Sequence, residues 1–329
     1  MNDIVLSKPT ASSKAENTQI VKEKYKVISL FSGCGGMDLG FKGGFSFLGK
    51  EFEALPFEVV WANDLNAAAC RSYAKNLKHP ILQGSIWDHI DSIPKSADIV
   101  IGGFPCQDIS VNGKGAGVAG ARSGLYRAMV EVVRKTRPKI FIAENVKGLL
   151  MKHNKDSLKQ IIDDFTSLGY NLSYKLYHAV EYGVPQTRER VMIVGTKPGI
   201  KKFEHPEPIY PPEMWITAKQ ALKDLETLPK NPEFSHIWSL AKKSPEQGSR
   251  MLKADRAGYT VRAECHGNIH FHYKLDRRMS MREAARIQSF PDSFIFDAKL
   301  RETERQIGNA VPPVLAWHIA KSTVSCLQN

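Results

Sequence analysis

Short apolar runs alternate with amphipathic stretches along most of the chain, and the alternation begins at Tyr25. Residues 1–24 are polar, rich in Ser, Lys, Thr and Asn, with little periodicity, the texture of a flexible arm. Residues 26–31 then read as a buried strand running into a glycine loop, and residues 57–62 as a second strand followed by a helical stretch to about residue 76. Residues 99–102 and 139–143 continue the strand series. Between them Leu125, Met129, Val132 and Val133 fall on one side of a helix over 124–136, and 158–168 is a further amphipathic helix. Residues 191–194 form a late strand. Strands alternating with helices predict an α/β fold, with a mostly parallel sheet covered on both faces.

The pattern breaks where Pro206, Pro208, Pro211 and Pro212 fall close together, as at a linker or domain edge. Periodicity stays weak over 200–276. A helix is predicted over 280–288, stopped by Ser289, Phe290, Pro291 and Asp292, and a closing helix over 314–327.

Composition narrows the function classes. At 329 residues the chain has room for one large domain and a smaller one, and 42% hydrophobic residues is ordinary for a globular protein. No run approaches the ~18 apolar residues of a membrane span. The N-terminus lacks the basic and apolar regions of a secretory signal. Five scattered cysteines do not suggest a disulfide framework, and a reducing cytoplasm is expected. The net charge of +12 is concentrated: residues 242–286 carry eleven Lys/Arg against five Asp/Glu. Such a stretch suits a polyanion, or is simply a solvated basic surface.

Candidate chemistry centres on Cys106. It follows Pro105 just past the apolar run 97–101, so a rigid turn would hold the thiol at a strand's carboxyl end, where open α/β sheets bind ligands. A free cysteine in such a place can also be plain core. Other segments add to it. Residues 31–36 read Phe-Ser-Gly-Cys-Gly-Gly, 105–107 Pro-Cys-Gln, 144–146 Glu-Asn-Val and 186–190 Gln-Thr-Arg-Glu-Arg. Residues 282–292 read Arg-Glu-Ala-Ala-Arg-Ile-Gln-Ser-Phe-Pro-Asp, and 306–313 Gln-Ile-Gly-Asn-Ala-Val-Pro-Pro. Together, in this order, they resemble the motifs of the C5-cytosine DNA methyltransferases, of the prokaryotic restriction-modification type. Only 1–24 and roughly 200–257 carry no matching motif.

The resemblance implies a large Rossmann-like domain that binds S-adenosylmethionine, spanning 25–199 and completed by 300–329, with a small target-recognition domain over 200–299. Cofactor contacts would come from Phe31, Ser32, Gly33, Cys34, Gly35, Gly36, Asp64, Leu65, Ser85, Ile86, Pro105, Asn309 and Ala310. Asp64 would take the ribose hydroxyls, since a carboxylate accepts from both. The family often places acids where Ser29 and Ser85 stand here, so a weaker adenine contact is expected at Ser85. Cys106 would attack carbon 6 of cytosine and make carbon 5 nucleophilic. Glu144, protonated or sharing a proton, would stabilise charge at N3; Arg190 would bind O2; Arg188 would help build the pocket wall, beside Gln107. Arginines two apart on an extended segment face opposite ways, so the two do not share a role, and Asn145 is read as structural support. Gly113, Gly115, Gly117, Gly120 and Gly124 suit a loop that closes on an extruded base.

DNA contacts are expected from Ser110, Arg122, Lys253, Arg262, Glu264 and His266. Arg262, Glu264 and His266 alternate just after Thr260 and Val261, so one face could offer all three to a groove; an internal Arg262–Glu264 salt bridge is the alternative. Cys265, His266, His270 and His272 lack the paired spacing of a zinc site, and no metal is expected. The partners implied are double-stranded DNA and a cognate restriction endonuclease, with the enzyme monomeric and cytoplasmic at the nucleoid. Other readings are an RNA (tRNA) cytosine-5 methyltransferase on the same domain, or a DNA-binding homologue without catalysis. Intact Cys106, Glu144 and Arg190 argue against the last.

Overall fold

The computed structural model describes residues 24–104, 125–240, 251–263 and 270–328. Seven strands form one sheet: β1 (Tyr25–Leu30), β4 (Phe57–Asp64), β5 (Leu82–Gln83), β6 (Ile99–Gly103), β7 (Ile140–Val146), β8 (Asn171–His178) and β9 (Glu189–Thr196). Their order is β5-β4-β1-β6-β7-β9-β8. The pairs from β5 through β7 are parallel, and β9 runs antiparallel to both β7 and β8. A separate hairpin pairs β2 (Phe45–Phe47) with β3 (Lys50–Phe52).

The central strands are continuous apolar runs because both faces are covered. Side chains alternate between the faces. Val27, Ile99, Ile101, Ile140 and Ile142 join one hydrophobic cluster, and Ile28, Leu30, Val100, Phe141 and Ala143 join another. Helices α4 (Leu125–Thr136) and α5 (Lys155–Ser167) cover the second face with Met129, Val132, Val133, Ile161 and Phe165. Helices α1 (Gly36–Lys42), α2 (Ala67–Leu77) and α9 (Pro313–Leu327) cover the first. Helix α9 can approach α1 closely because Gly40 has no side chain; a Cβ there would lie 2.4 Å from the Cβ of Ala316.

The described residues of 200–299 contain little regular structure: α6 (Ala218–Leu222), α7 (Met281–Ile287) and short 3-10 turns. A capping box fixes the start of α7, with Ser280 and Glu283 each accepting the other's backbone N–H. Phe203, Leu222, Leu252, Val261, Met279, Ile287 and Phe290 share one cluster with Val27 and Trp317 of the sheet region. Much of the basic charge here is used internally. Arg286 is held between Asp224 and Asp292, Arg277 pairs with the buried Glu283, and Arg282 donates to the carbonyls of Phe234, Pro291 and Phe294.

The strands and long helices stand where the hydrophobic pattern puts them. The pattern did not reveal β5, β8, the β2–β3 hairpin, α3 (Ile86–His89), α6, or α8 (Leu300–Asn309). No helix among the described residues is long and apolar enough to cross a membrane.

Candidate active site

Strand β1 lies between β4 and β6, and the chain order reverses there. Open α/β sheets bind ligands in the crevice outside the carboxyl ends at such a switch point. Two motif segments leave the sheet at this place: the glycine loop after β1 and the segment after β6. The latter runs to Phe104, and Pro105, Cys106, Gln107, Ser110, Arg122 and the glycines 113–124 lie outside the described residues. Its two stems are defined. The rings of Phe104 and Tyr126 are 6.2 Å apart, and Asn145 Nδ2 donates to the Phe104 carbonyl at 3.0 Å. Asn145 therefore fixes the backbone two residues before Cys106, the supporting role expected for it.

The glycine loop is held by hydrogen bonds from both sides. Ser32 N–H donates to the Asn63 carbonyl at 3.0 Å, and Gly33 N–H donates to Asp64 Oδ2 at 2.8 Å. Phe31 has φ +53°, a left-handed conformation that costs a non-glycine residue about 1 kcal/mol or more. Gly36 permits a close approach: a Cβ there would lie 2.4 Å from the Val311 carbonyl oxygen. This brings the loop against the segment that carries Asn309, which is exposed, and Ala310.

Asp64 closes β4, and its Oδ1 accepts the Asn66 N–H at 2.8 Å. Each carboxylate oxygen thus holds one backbone amide and keeps a lone pair for another donor. Burial raises its pKa, with the amides of Asn66 and Gly33 opposing that shift. Leu65 beside it leaves 74% of its surface exposed, an apolar side chain at the mouth of a polar loop. Ser85 caps α3 by accepting the Trp87 N–H at 3.3 Å, and Ile86 is buried behind it. Cys34 is buried, and burial next to Asp64 pushes its thiol far up. That leaves Cys34 a packing residue in the loop, not a nucleophile.

Glu144 on β7 and Arg190 on β9 come together across antiparallel strands. Arg190 Nε lies 2.6 Å from Glu144 Oε1, and Val146, not Glu144, is the register partner of Arg190. Gly103, at the end of β6, lies opposite Glu144; a Cβ there would meet Glu144 Oε2 at 2.6 Å. The absence of a side chain at 103 leaves room for the carboxylate. An acid and a fork of donors stand together at the end of the strand that leads to Cys106.

Arg188, expected in the pocket wall, behaves differently from Arg190. It is fully buried, and its guanidinium donates to the carbonyls of Val261 at 2.9 Å, Gly308 at 2.7 Å and Ala310 at 3.2 Å. It ties the stretch at Val261 to the stretch 308–310, while Arg190, two residues on, pairs with Glu144. Two partners escaped the sequence reading. Gln186 accepts the Val261 N–H at 2.9 Å, and Gln288 donates to the Ala310 carbonyl at 2.6 Å. Both stood in quoted motifs, but only tertiary packing shows what they hold.

Among the expected DNA contacts, Arg262 and Lys253 are exposed, while Glu264 and His266 lie outside the described residues. The backbone before Arg262 is pinned to the sheet domain: Thr260 Oγ1 donates to the Thr187 carbonyl at 3.1 Å, and Thr187 N–H to Gly258 at 2.8 Å. His270 and His272 are buried, and His272 Nδ1 accepts the N–H groups of Lys274 and Leu275.

Comparison with known proteins agrees with this geometry. The chain matches the family described as C-5 cytosine-specific DNA methylase over residues 25–255 and 241–325. It is 36% identical to the type II methyltransferase M.NgoFVII of Neisseria gonorrhoeae over 94% of this chain and 89% of that protein. It is 34% identical to the type II methyltransferase M.FnuDI of Fusobacterium nucleatum over 90% and 93% of the two chains. The fold resembles the Entamoeba histolytica methyltransferase EhMeth with a TM-score of 0.70 at 14% identity, covering 94% of this chain and all of that one. It resembles S. pombe Dnmt2 with a TM-score of 0.64 at 17% identity, covering 92% and 98%. The chain belongs to the C-5 cytosine-specific DNA methylase family and is a DNA (cytosine-5-)-methyltransferase.

Proposed function

We propose that this enzyme methylates carbon 5 of a cytosine extruded from a specific duplex site, through a covalent bond to Cys106, and protects host DNA from a cognate restriction endonuclease. The observation that carries the reading is the Glu144–Arg190 pair at the carboxyl end of the sheet, beside the strand that runs into Cys106. A cytosine placed there would offer N3 and O2 to these two residues. Glu144 would donate a proton to N3, or share one with it, and Arg190 would hydrogen-bond O2, withdrawing charge as the thiolate adds to carbon 6. The ring becomes an enamine, and carbon 5 gains the electron density it lacks in free cytosine. Once carbon 5 carries the methyl group, loss of its proton restores the 5,6 double bond and expels the thiolate.

The residues at the switch point fit S-adenosylmethionine. Asp64 keeps acceptor capacity for two ribose hydroxyls, Leu65 offers an uncovered apolar surface, and space around Gly33 is open, with nothing within 4 Å of a Cβ placed there. Phe31, Ser32, Gly35 and Gly36 would line the loop, Ser85 and Ile86 the adenine side, and Asn309 and Ala310 the methionine end. When bound, the cofactor supplies an electrophilic methyl group. In this reading residues 25–199 with 300–329 form the catalytic domain, and 200–299 present the recognition surface.

Bisulfite sequencing of DNA from a host expressing the protein tests this directly. The expected result is protection of one cytosine within a single short motif. Unprotected genomic DNA, with protection of host tRNA instead, would overturn the DNA reading.

A further inference from the structure

Burying a guanidinium costs several kcal/mol unless its donors are satisfied, and the usual partner is a carboxylate. Arg188 is fully buried, yet among the described residues its hydrogen bonds go to carbonyls only: Val261, Gly308 and Ala310. Val261 lies within the recognition segment, next to Arg262. Gly308 and Ala310 flank Asn309 at the methionine end of the cofactor site. The contact between the two segments is direct as well, since a Cβ at Gly308 would lie 2.3 Å from the Ala263 nitrogen and 2.4 Å from the Arg262 carbonyl carbon. A second chain of bonds runs in parallel. Gln186 accepts the Val261 N–H and donates to the Gln288 side chain, and Gln288 donates to the Ala310 carbonyl.

We propose that Arg188 is a positioning residue that couples the two halves of the site: filling the cofactor site at Asn309 and Ala310 fixes the recognition segment at residues 259–263. The proposal rests on the S-adenosylmethionine reading above. Its physical basis is that the two terminal nitrogens of one buried guanidinium find acceptors only when both segments are docked, while its Nε has no hydrogen-bond partner among the described residues. Displacing either strips donors of a group that water does not reach. Whatever holds residues 308–310 in place therefore raises the cost of moving Val261. By linkage, DNA that orders the recognition segment tightens the cofactor site by the same factor. Lysine cannot substitute, because a single ammonium lacks the planar fork that spans carbonyls on two segments.

The test is hydrogen exchange of the full chain with and without S-adenosylhomocysteine, read at the amides of residues 258–263. In wild type, saturation is expected to slow their exchange by about tenfold or more. Arg188→Lys and Gly308→Ala are each expected to bind the probe, with protection near the glycine loop, while the slowing at 258–263 falls below about twofold. Gly308→Ala keeps the arginine but wedges apart the two segments it bridges, so it carries the test if Arg188→Lys does not fold. A merely structural Arg188 would lower the melting temperature and leave the transfer of protection intact. That result, or a wild type that binds the probe without protecting 258–263, would overturn the proposal. Failure of wild type to bind the probe at all would instead overturn the cofactor reading.

Discussion

Arg190 Nε stands 2.6 Å from Glu144 Oε1, although the two residues are not register partners on their antiparallel strands. The diagonal approach sets both side chains at the carboxyl end of the sheet, and Gly103 on the neighbouring strand leaves the space they need. If this pair receives the base, Glu144→Gln should lower kcat by roughly a hundred- to a thousandfold, the range for removing one preorganised transition-state contact. Binding of S-adenosylhomocysteine should change little. Single-turnover methyl incorporation and isothermal titration separate the two, and an equal loss in both would make Glu144 a structural residue.

Asp64 holds the glycine loop and, in the proposed function, the ribose. Asp64→Ala should raise KM for S-adenosylmethionine by about tenfold or more, since hydrogen bonds to a charged group contribute about 1.5–3 kcal/mol. The change in DNA affinity should be smaller. An unchanged cofactor KM would place the cofactor elsewhere.

Arg262 and Lys253 are both exposed and basic, yet different roles are expected of them. Arg262→Ala should lower methylation of the cognate site by roughly ten- to a hundredfold and relax the choice at one base pair, as loss of a bidentate contact worth about 1–3 kcal/mol does. Lys253→Ala should weaken all sequences alike and reduce the salt slope of binding by about one. Affinities for cognate and scrambled duplexes at several salt concentrations decide between readout and steering. Uniform weakening in Arg262→Ala would remove it from the readers.

Glu304 lies buried in α8, and burial raises its carboxyl from 4.5 to about 7, with Arg278 and Arg301 pulling the other way. The fold keeps this group protonated where the unfolded chain ionises it. Its contribution is complete below pH 4.5 and is lost as pH rises through about 7. The amount at stake is on the order of 3 kcal/mol. Glu304→Gln should therefore flatten the fall in melting temperature between pH 5 and 8 relative to wild type, a window set by the same shift. Superimposable profiles would show that Glu304 does not titrate in this range.

The sheet was legible in the sequence because strands covered on both faces must be continuously apolar, and Ile99, Val100 and Ile101 leave no other reading. Strand β8 was not: it lies at the sheet's edge, much of it only part-buried, so no apolar run marks it. Helix α8 was hidden by its charge, since Arg301, Glu302, Glu304 and Arg305 mask a stripe of buried residues. Glu144, Arg190 and Asp64 stood out as motif residues, and the structure pairs the first two and sets the third against the glycine loop. The alternation along the segment already separated Arg188 from Arg190, but only packing shows that the Arg188 guanidinium lies among carbonyls. Charge alone left the basic surplus of residues 242–286 open, and part of it, Arg277, Arg282 and Arg286, bonds within the protein.

The central claim is covalent catalysis by Cys106. The most direct measurement uses a duplex carrying the site found by bisulfite sequencing, with 5-fluorocytosine at the target position, incubated with enzyme and S-adenosylmethionine. Fluorine cannot leave carbon 5 as a proton does, so the thiolate cannot be expelled. A denaturation-resistant protein–DNA adduct is expected, with peptide mass spectrometry placing the methylated fluoropyrimidine on Cys106. Cys106→Ser should give no adduct while still binding the duplex. Methylation of the ordinary site without an adduct on the fluorinated one, or an adduct that persists in Cys106→Ser, would contradict the account.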